Sequence, residues 1–190
     1  MYGPDYGGGI MSVLDFVTEV KALVKEQINN MHTALPGEIV SIDKNAGLVS
    51  VKPKAQMQFS NGKTLEFPII SGVPIVMPQS AISQSAIVFP VNVGDQCLLI
   101  FSEQALDYWF ETGMTAPQVK YGLSGAIAIP GLLRTQTDVF KEALERDAVI
   151  IKHKNASITL SNAGIAIRGD ISVEGNLLIN GEIKSVPDEI

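Results

Sequence analysis

Residues 165–183 read Ile-Ala-Ile-Arg-Gly-Asp, Ile-Ser-Val-Glu-Gly-Asn, Leu-Leu-Ile-Asn-Gly-Glu and then Ile. Aliphatic residues return every sixth position at Ile165, Ile171, Leu177 and Ile183, and a second series, Ile167, Val173 and Ile179, runs two residues behind. Gly169, Gly175 and Gly181 keep the same period. Residues two apart share one face of a strand, and a glycine supplies the backbone freedom of a turn. The pattern therefore predicts a very short strand repeated along the chain, with the glycines at its turns.

A strand of about four residues cannot bury its apolar face alone, and these hexads are too few for a self-sufficient solenoid. Three copies of the chain wound about one axis would each contribute strands to a shared aliphatic core. The side chains assigned to that core are Ile165, Ile167, Ile171, Val173, Leu177, Ile179 and Ile183. No Phe, Tyr or Trp follows Phe140, which suits a core too narrow for rings. The competing reading is a β-meander packed on its own globular domain, because Gly-Asp, Gly-Asn and Asn-Gly are also hairpin signals.

Upstream of this tail, taken as residues 148–190, Thr137 to Arg146 reads as a polar helix or extended connector within a linking segment, 116–147. Residues 36–115 contain short strand patterns separated by turns. Lys44-Asn45-Ala46-Gly47 and Ser60-Asn61-Gly62-Lys63 are hairpin signals, and Val93-Gly94-Asp95 separates Ile87–Phe89 from Gln96–Phe101. Such spacing predicts a small barrel of the OB type, with Phe59, Phe67, Phe89 and Phe101 facing inward. Ser102 to Phe110 reads as a short helix capped by Ser102, with Trp109 as a core plug.

Residues 12–35 form a helix with Ser12 at its N-cap and Asp15 in its first turn. Val13, Val17, Val20, Val24, Gln27 and Met31 alternate spacings of four and three, which is a coiled-coil seam with one polar position. An amphipathic helix lying on its own domain is the alternative. Residues 1–11, with Gly7, Gly8 and Gly9 in a row, read as a flexible arm. The fold class is thus mainly β: an amino-terminal helix, an OB-fold barrel and an intertwined trimeric β-helix.

The net charge of −6 disfavours a general nucleic-acid or anionic-membrane binder. Cys97 is alone, so no intramolecular disulfide forms, and His32 and His153 are a poor start for a metal site. No P-loop, dinucleotide fingerprint or HExxH is present, and Gly122-Leu123-Ser124-Gly125-Ala126 lacks the last glycine of a nucleophile elbow. No catalytic, cofactor-binding or metal residue is assigned, and the chain is read as a non-enzyme. An OB module for single-stranded nucleic acid is an alternative function from another class.

The run Val91-Asn92-Val93-Gly94-Asp95-Gln96-Cys97-Leu98-Leu99-Ile100-Phe101-Ser102-Glu103, followed by Asp107-Tyr108-Trp109, resembles the OB domain of central spike proteins from contractile-tailed phages. Ala126-Ile127-Ala128-Ile129-Pro130-Gly131-Leu132 is similar to that family's stretch after the barrel. The resemblance covers about Pro36 to Leu132, and the hexads agree with it in architecture. It implies a homotrimer at the centre of the baseplate, made in the host cytoplasm and carried in the virion. The barrel end would dock on a hub protein, and the needle would plug the tube and puncture the host outer membrane on sheath contraction. The spike of a phage-derived bacteriocin or contractile secretion apparatus is a close alternative. Members of the family commonly hold an apical iron in an H-x-H motif. Here Lys184 to Ile190 contains no histidine, so no cofactor is expected, and a separate tip protein is the alternative at the apex.

Overall fold

The computed structural model describes residues 13–29, 31–59, 62–114 and 121–184. The arm over 1–11, the Ser12 cap and the stretch from Ser185 onward lie outside the described residues. Helix α1 (Val13–Asn29) has Asp15 in its first turn, where a carboxylate complements the helix dipole. None of its side chains from Val13 to Ile28 is buried, so it does not lie its apolar face on its own domain.

The first β-hairpin forms where the turn signal predicts it. Strand β1 (Ala34–Asp43) pairs antiparallel with β2 (Leu48–Pro53). In the turn, Asp43 Oδ1 accepts from the Asn45 and Ala46 backbone N–H groups at 2.9 and 3.1 Å, and Gly47 takes φ 68°. Strands β3 (Gln56–Gln58) and β4 (Thr64–Glu66) make the second expected hairpin. Lys52 ties it to the sheet, reaching Glu66 Oε2 and the Phe67 carbonyl, each at 2.9 Å. That hydrogen bond and charge hold the Glu66 carboxyl below the usual carboxylate range.

Strand β5 (Ile70–Pro74) returns to pair with β2. Strands β6 (Gln79–Ser80) and β7 (Ser85–Ala86) form a minimal hairpin. Ile87–Phe89, expected as a strand, is irregular and exposed, and the pairing partner for β8 (Gln96–Phe101) is β1 instead. The fifth strand of the sheet, β9 (Ala126–Pro130), lies well past residue 115 and pairs with β8.

The sheet order is β5-β2-β1-β8-β9. Register shifts between Ile39 and Ser41 and between Val49 and Val51 add local twist. The sheet curls until its two edges meet: Ile75 and Ala128 form a parallel bridge, and Val76 N–H donates to the Ala128 carbonyl at 3.0 Å.

Alternate residues of each strand fill the inside of the curl, as a period of two requires. Ile39, Val49, Val51, Ile70, Val73, Cys97, Leu99, Phe101, Ala126 and Ala128 form one buried cluster. Gly37 is small for a reason of space: a Cβ there would sit 2.5 Å from Val51 Cγ1 and 3.2 Å from Leu99 Cδ1. Phe67 and Phe101 are buried as the alternation predicts, whereas Phe59 and Phe89 are about half exposed.

Helix α2 is shorter than expected, spanning Asp107–Thr112 and ending at Gly113 with φ 78°. Ser102 does not cap it; its hydroxyl accepts instead from the Gln104 N–H at 3.3 Å. Trp109 is 48 % exposed and packs edge-on against Phe110, so it is no core plug. One turn and a half of helix is too short to bring an indole back onto the sheet.

Contacts divide the chain into two units after Leu133. In the second, α3 (Asp138–Glu145) starts at Thr137, whose hydroxyl accepts from the Phe140 N–H at 3.2 Å. It is followed by β10 (Val149–His153), β11 (Ala156–Ser161) and β12 (Gly164–Arg168), an antiparallel meander in that order. From Gly169 to Lys184 the single chain has neither strand nor helix, and every residue is exposed.

Candidate functional site

The meander has two unlike faces. Directly opposed residues of antiparallel strands share a face, and here Val149, Leu160 and Ile165 form one cross-strand row and Ile151, Ile158 and Ile167 the next. All six are aliphatic, and each is 39 % exposed or more. The opposite face is mixed: Ile150, Thr159 and Ala166 form one cross-strand row and Lys152, Ser157 and Arg168 the next, Thr159 is buried there, and Glu142 and Arg146 join them around a cleft of about 550 Å³. Arg146 donates to Glu142 Oε1 across one helical turn at 2.6 Å. Helix α3 thus lies beside β10 on the side of Thr159, and the aliphatic rows stay exposed.

Of the residues assigned to the repeat core, Ile165 and Ile167 therefore stand in an ordinary antiparallel strand and belong to this face. Ile171, Val173, Leu177, Ile179 and Ile183 follow in the strandless stretch, from 46 to 82 % exposed. Gly169 and Gly175 take φ 116° and 132°, a region that L side chains rarely adopt, whereas Gly181 does not. Burying half-exposed aliphatic side chains is worth roughly 1 kcal/mol each. A run of eleven such residues forfeits too much to be an accident of surface composition.

Val149, Ile151, Ile158 and Leu160 were not singled out by the hexad pattern. The signal that marks them is alternation within Val149–His153 and Ala156–Ser161, which has the period of a strand but not the period of the repeat.

Residues 35–131 match the family described as phage protein Gp138, N-terminal domain. The chain belongs to that family. The matched span takes in all five strands of the curled sheet and stops just before the boundary between the two units. No curated protein matches the chain. Membership in the Gp138 N-terminal domain family supports a phage structural protein associated with the virion.

On the Gp138 N-terminal domain Phe59, Phe89, Tyr108, Trp109 and Phe110 are each about half exposed. Of the four rings expected to face inward, Phe67 and Phe101 are in the core, and His32 covers them, its ring 5.2 Å from Phe67 and 5.6 Å from Phe101. Burial lowers the His32 pKa. Cys97 is fully buried and its thiol is pushed up to about 11 by that burial, so it is a packing residue and not a nucleophile. Among the described residues no three His, Cys, Asp or Glu side chains gather at one place, and the expected apex, from Ser185 onward, lies outside them.

Proposed function

We propose that this phage protein is the central spike of a contractile-tail baseplate, a homotrimer whose carboxy-terminal part is a shared β-structured needle. The work is mechanical rather than catalytic: the needle plugs the tube and is driven through the host outer membrane when the sheath contracts. The observation that carries the reading is the bare aliphatic face of the meander, continued by the hexads. Three copies related by an axis would bury the same face of each against the others, an arrangement that closes without leaving an open end. Pairing backbone groups between chains along Gly169 to Lys184 would also leave few exposed strand edges, which resists unzipping under load.

The curled sheet supports the same reading. Its order, with a parallel contact between the first and last strands of that order, fits an OB barrel. In the spike reading this barrel is the end that docks on the hub. The spike of a bacteriocin or contractile secretion apparatus would need the same trimer.

Light scattering on the purified protein tests the assembly, with a mass near three chains expected. A stable monomer at micromolar concentration overturns it. Cryo-electron microscopy of tails with a tag at Lys184 tests the placement, since density at the distal centre of the baseplate is expected and density on the sheath or tube wall contradicts the reading.

A further inference from the structure

The heptad seam of α1 offers a second face without an occupant. Val13 and Val20 fall at d positions and Val17 and Val24 at a positions of a 3.5-residue repeat, and their exposure runs from 39 to 80 %. Phe16 and Leu23 precede the a positions, and Leu14 and Ile28 follow the d positions, so the apolar face is wider than the seam itself. These side chains expose on the order of 800 Å² of apolar surface, about what each partner buries in a standard specific interface.

We propose that the occupant of this face is α1 of two further copies, which makes the helix a parallel three-stranded coiled coil and a second clamp on the trimer, built from residues the needle does not use. The inference rests on the trimer reading above. Two features select the number and kind of partner. β-Branched residues at both a and d disfavour a two-stranded coil and shift the preference to three or more strands. The charged residues Asp15, Glu19, Lys25 and Glu26 all fall outside the a, d, e and g positions, and Gln27 at d supplies the single polar layer that fixes register. Parallel copies in register also bring Leu23 beside Ile28 of the neighbour and Phe16 beside Lys21, where the ammonium lies within reach of a ring face. A membrane surface is a poorer fit, because Asp15, Glu19 and Glu26 outnumber Lys21 and Lys25 on a helix that would have to meet anionic lipid.

The test is cross-linking of the full chain with a short bismaleimide. The native protein is its own blank, since its one thiol, Cys97, is buried and unreactive. Val20→Cys, and Val17→Cys as a second variant, are expected to give covalent dimers that take up at most about two-thirds of the chains, because three thiols on one axis leave one unpaired. Ala22→Cys, on the outer side of the helix, is expected to stay uncross-linked. A trimeric protein in which neither seam cysteine cross-links, or in which Ala22→Cys does so equally well, overturns the coiled coil and leaves the needle reading standing. A monomeric protein overturns both.

Discussion

Ile75 and Ala128 meet across the gap between the two edges of the curled sheet, and the Val76 N–H group donates to the Ala128 carbonyl at 3.0 Å. This is the contact that turns a five-stranded sheet into a nearly closed curl, and it involves few hydrogen bonds. Val76→Pro removes the donor and is expected to lower the stability of the sheet by about 1–3 kcal/mol. The check is the urea midpoint of the purified protein, with Val76→Ala as the control that keeps the N–H. Equal midpoints for the two variants would mean that the edges hold together without this bond.

Gly37 lies on β1 between β2 and β8, whose Val51 and Leu99 side chains close over it. Its missing Cβ leaves room for Val51 Cγ1 and Leu99 Cδ1, so Gly37→Ala is expected to destabilise by about 1–3 kcal/mol through overpacking. Val51→Ala alone costs a similar amount by leaving a cavity. The double variant should recover part of both losses, because the new methyl group occupies the space the valine vacates. Strict additivity of the two losses in a double-mutant cycle contradicts a direct clash.

His32 makes stability depend on pH. Burial against Phe67 and Phe101 lowers its folded-state pKa below the ordinary 6.5. Above about pH 6.5 the imidazole is neutral in both states and contributes no pH dependence. As the pH falls below that value the unfolded chain binds a proton that the folded chain does not, so stability declines until the folded-state pKa is reached and is then level. Thermal melts at pH 7.5 and 5.5 should show the native protein losing more stability than His32→Phe. The same loss in both would assign the effect to other groups.

How much of this was legible in the sequence follows from the range over which each signal acts. The Lys44–Gly47 turn was readable because Asp43 and Gly47 act within the turn itself. The β8–β9 pair was not, because Phe101 and Ala126 lie far apart in the chain and no local signal tells Ala126–Pro130 to return to that edge. Trp109 was misplaced for a related reason: spacing from Leu106 defines a helix face but not what the face meets. The repeat at Ile165 was read as an apolar series of short strands, and its first member pairs back onto Leu160. The hexad period concealed the strand period of the residues before it. The width of the seam on α1 was also visible, but only the exposure of Val13 to Ile28 separates a helix that awaits a partner from one that already has its own domain.

The meander itself supplies the sharpest test of assembly. Ile158 lies on the central strand, opposite Ile151 on one side and Ile167 on the other, with its side chain on the bare face. In a trimer the Ile158→Asp substitution buries three carboxylates near one level, where neither water nor a counter-charge satisfies them. Val173→Asp places the same demand farther along the hexads. Both variants are expected to reduce the mass seen by light scattering from three chains toward one at equal concentration. The barrel core shares no residue with either position, so near-ultraviolet circular dichroism from the Phe67 and Phe101 environment should be retained. Lys152→Gln, on the opposite face beside α3, is the matched control and should remain trimeric. Should Ile158→Asp remain trimeric as well, the face that is bare in one chain is not the face that joins three.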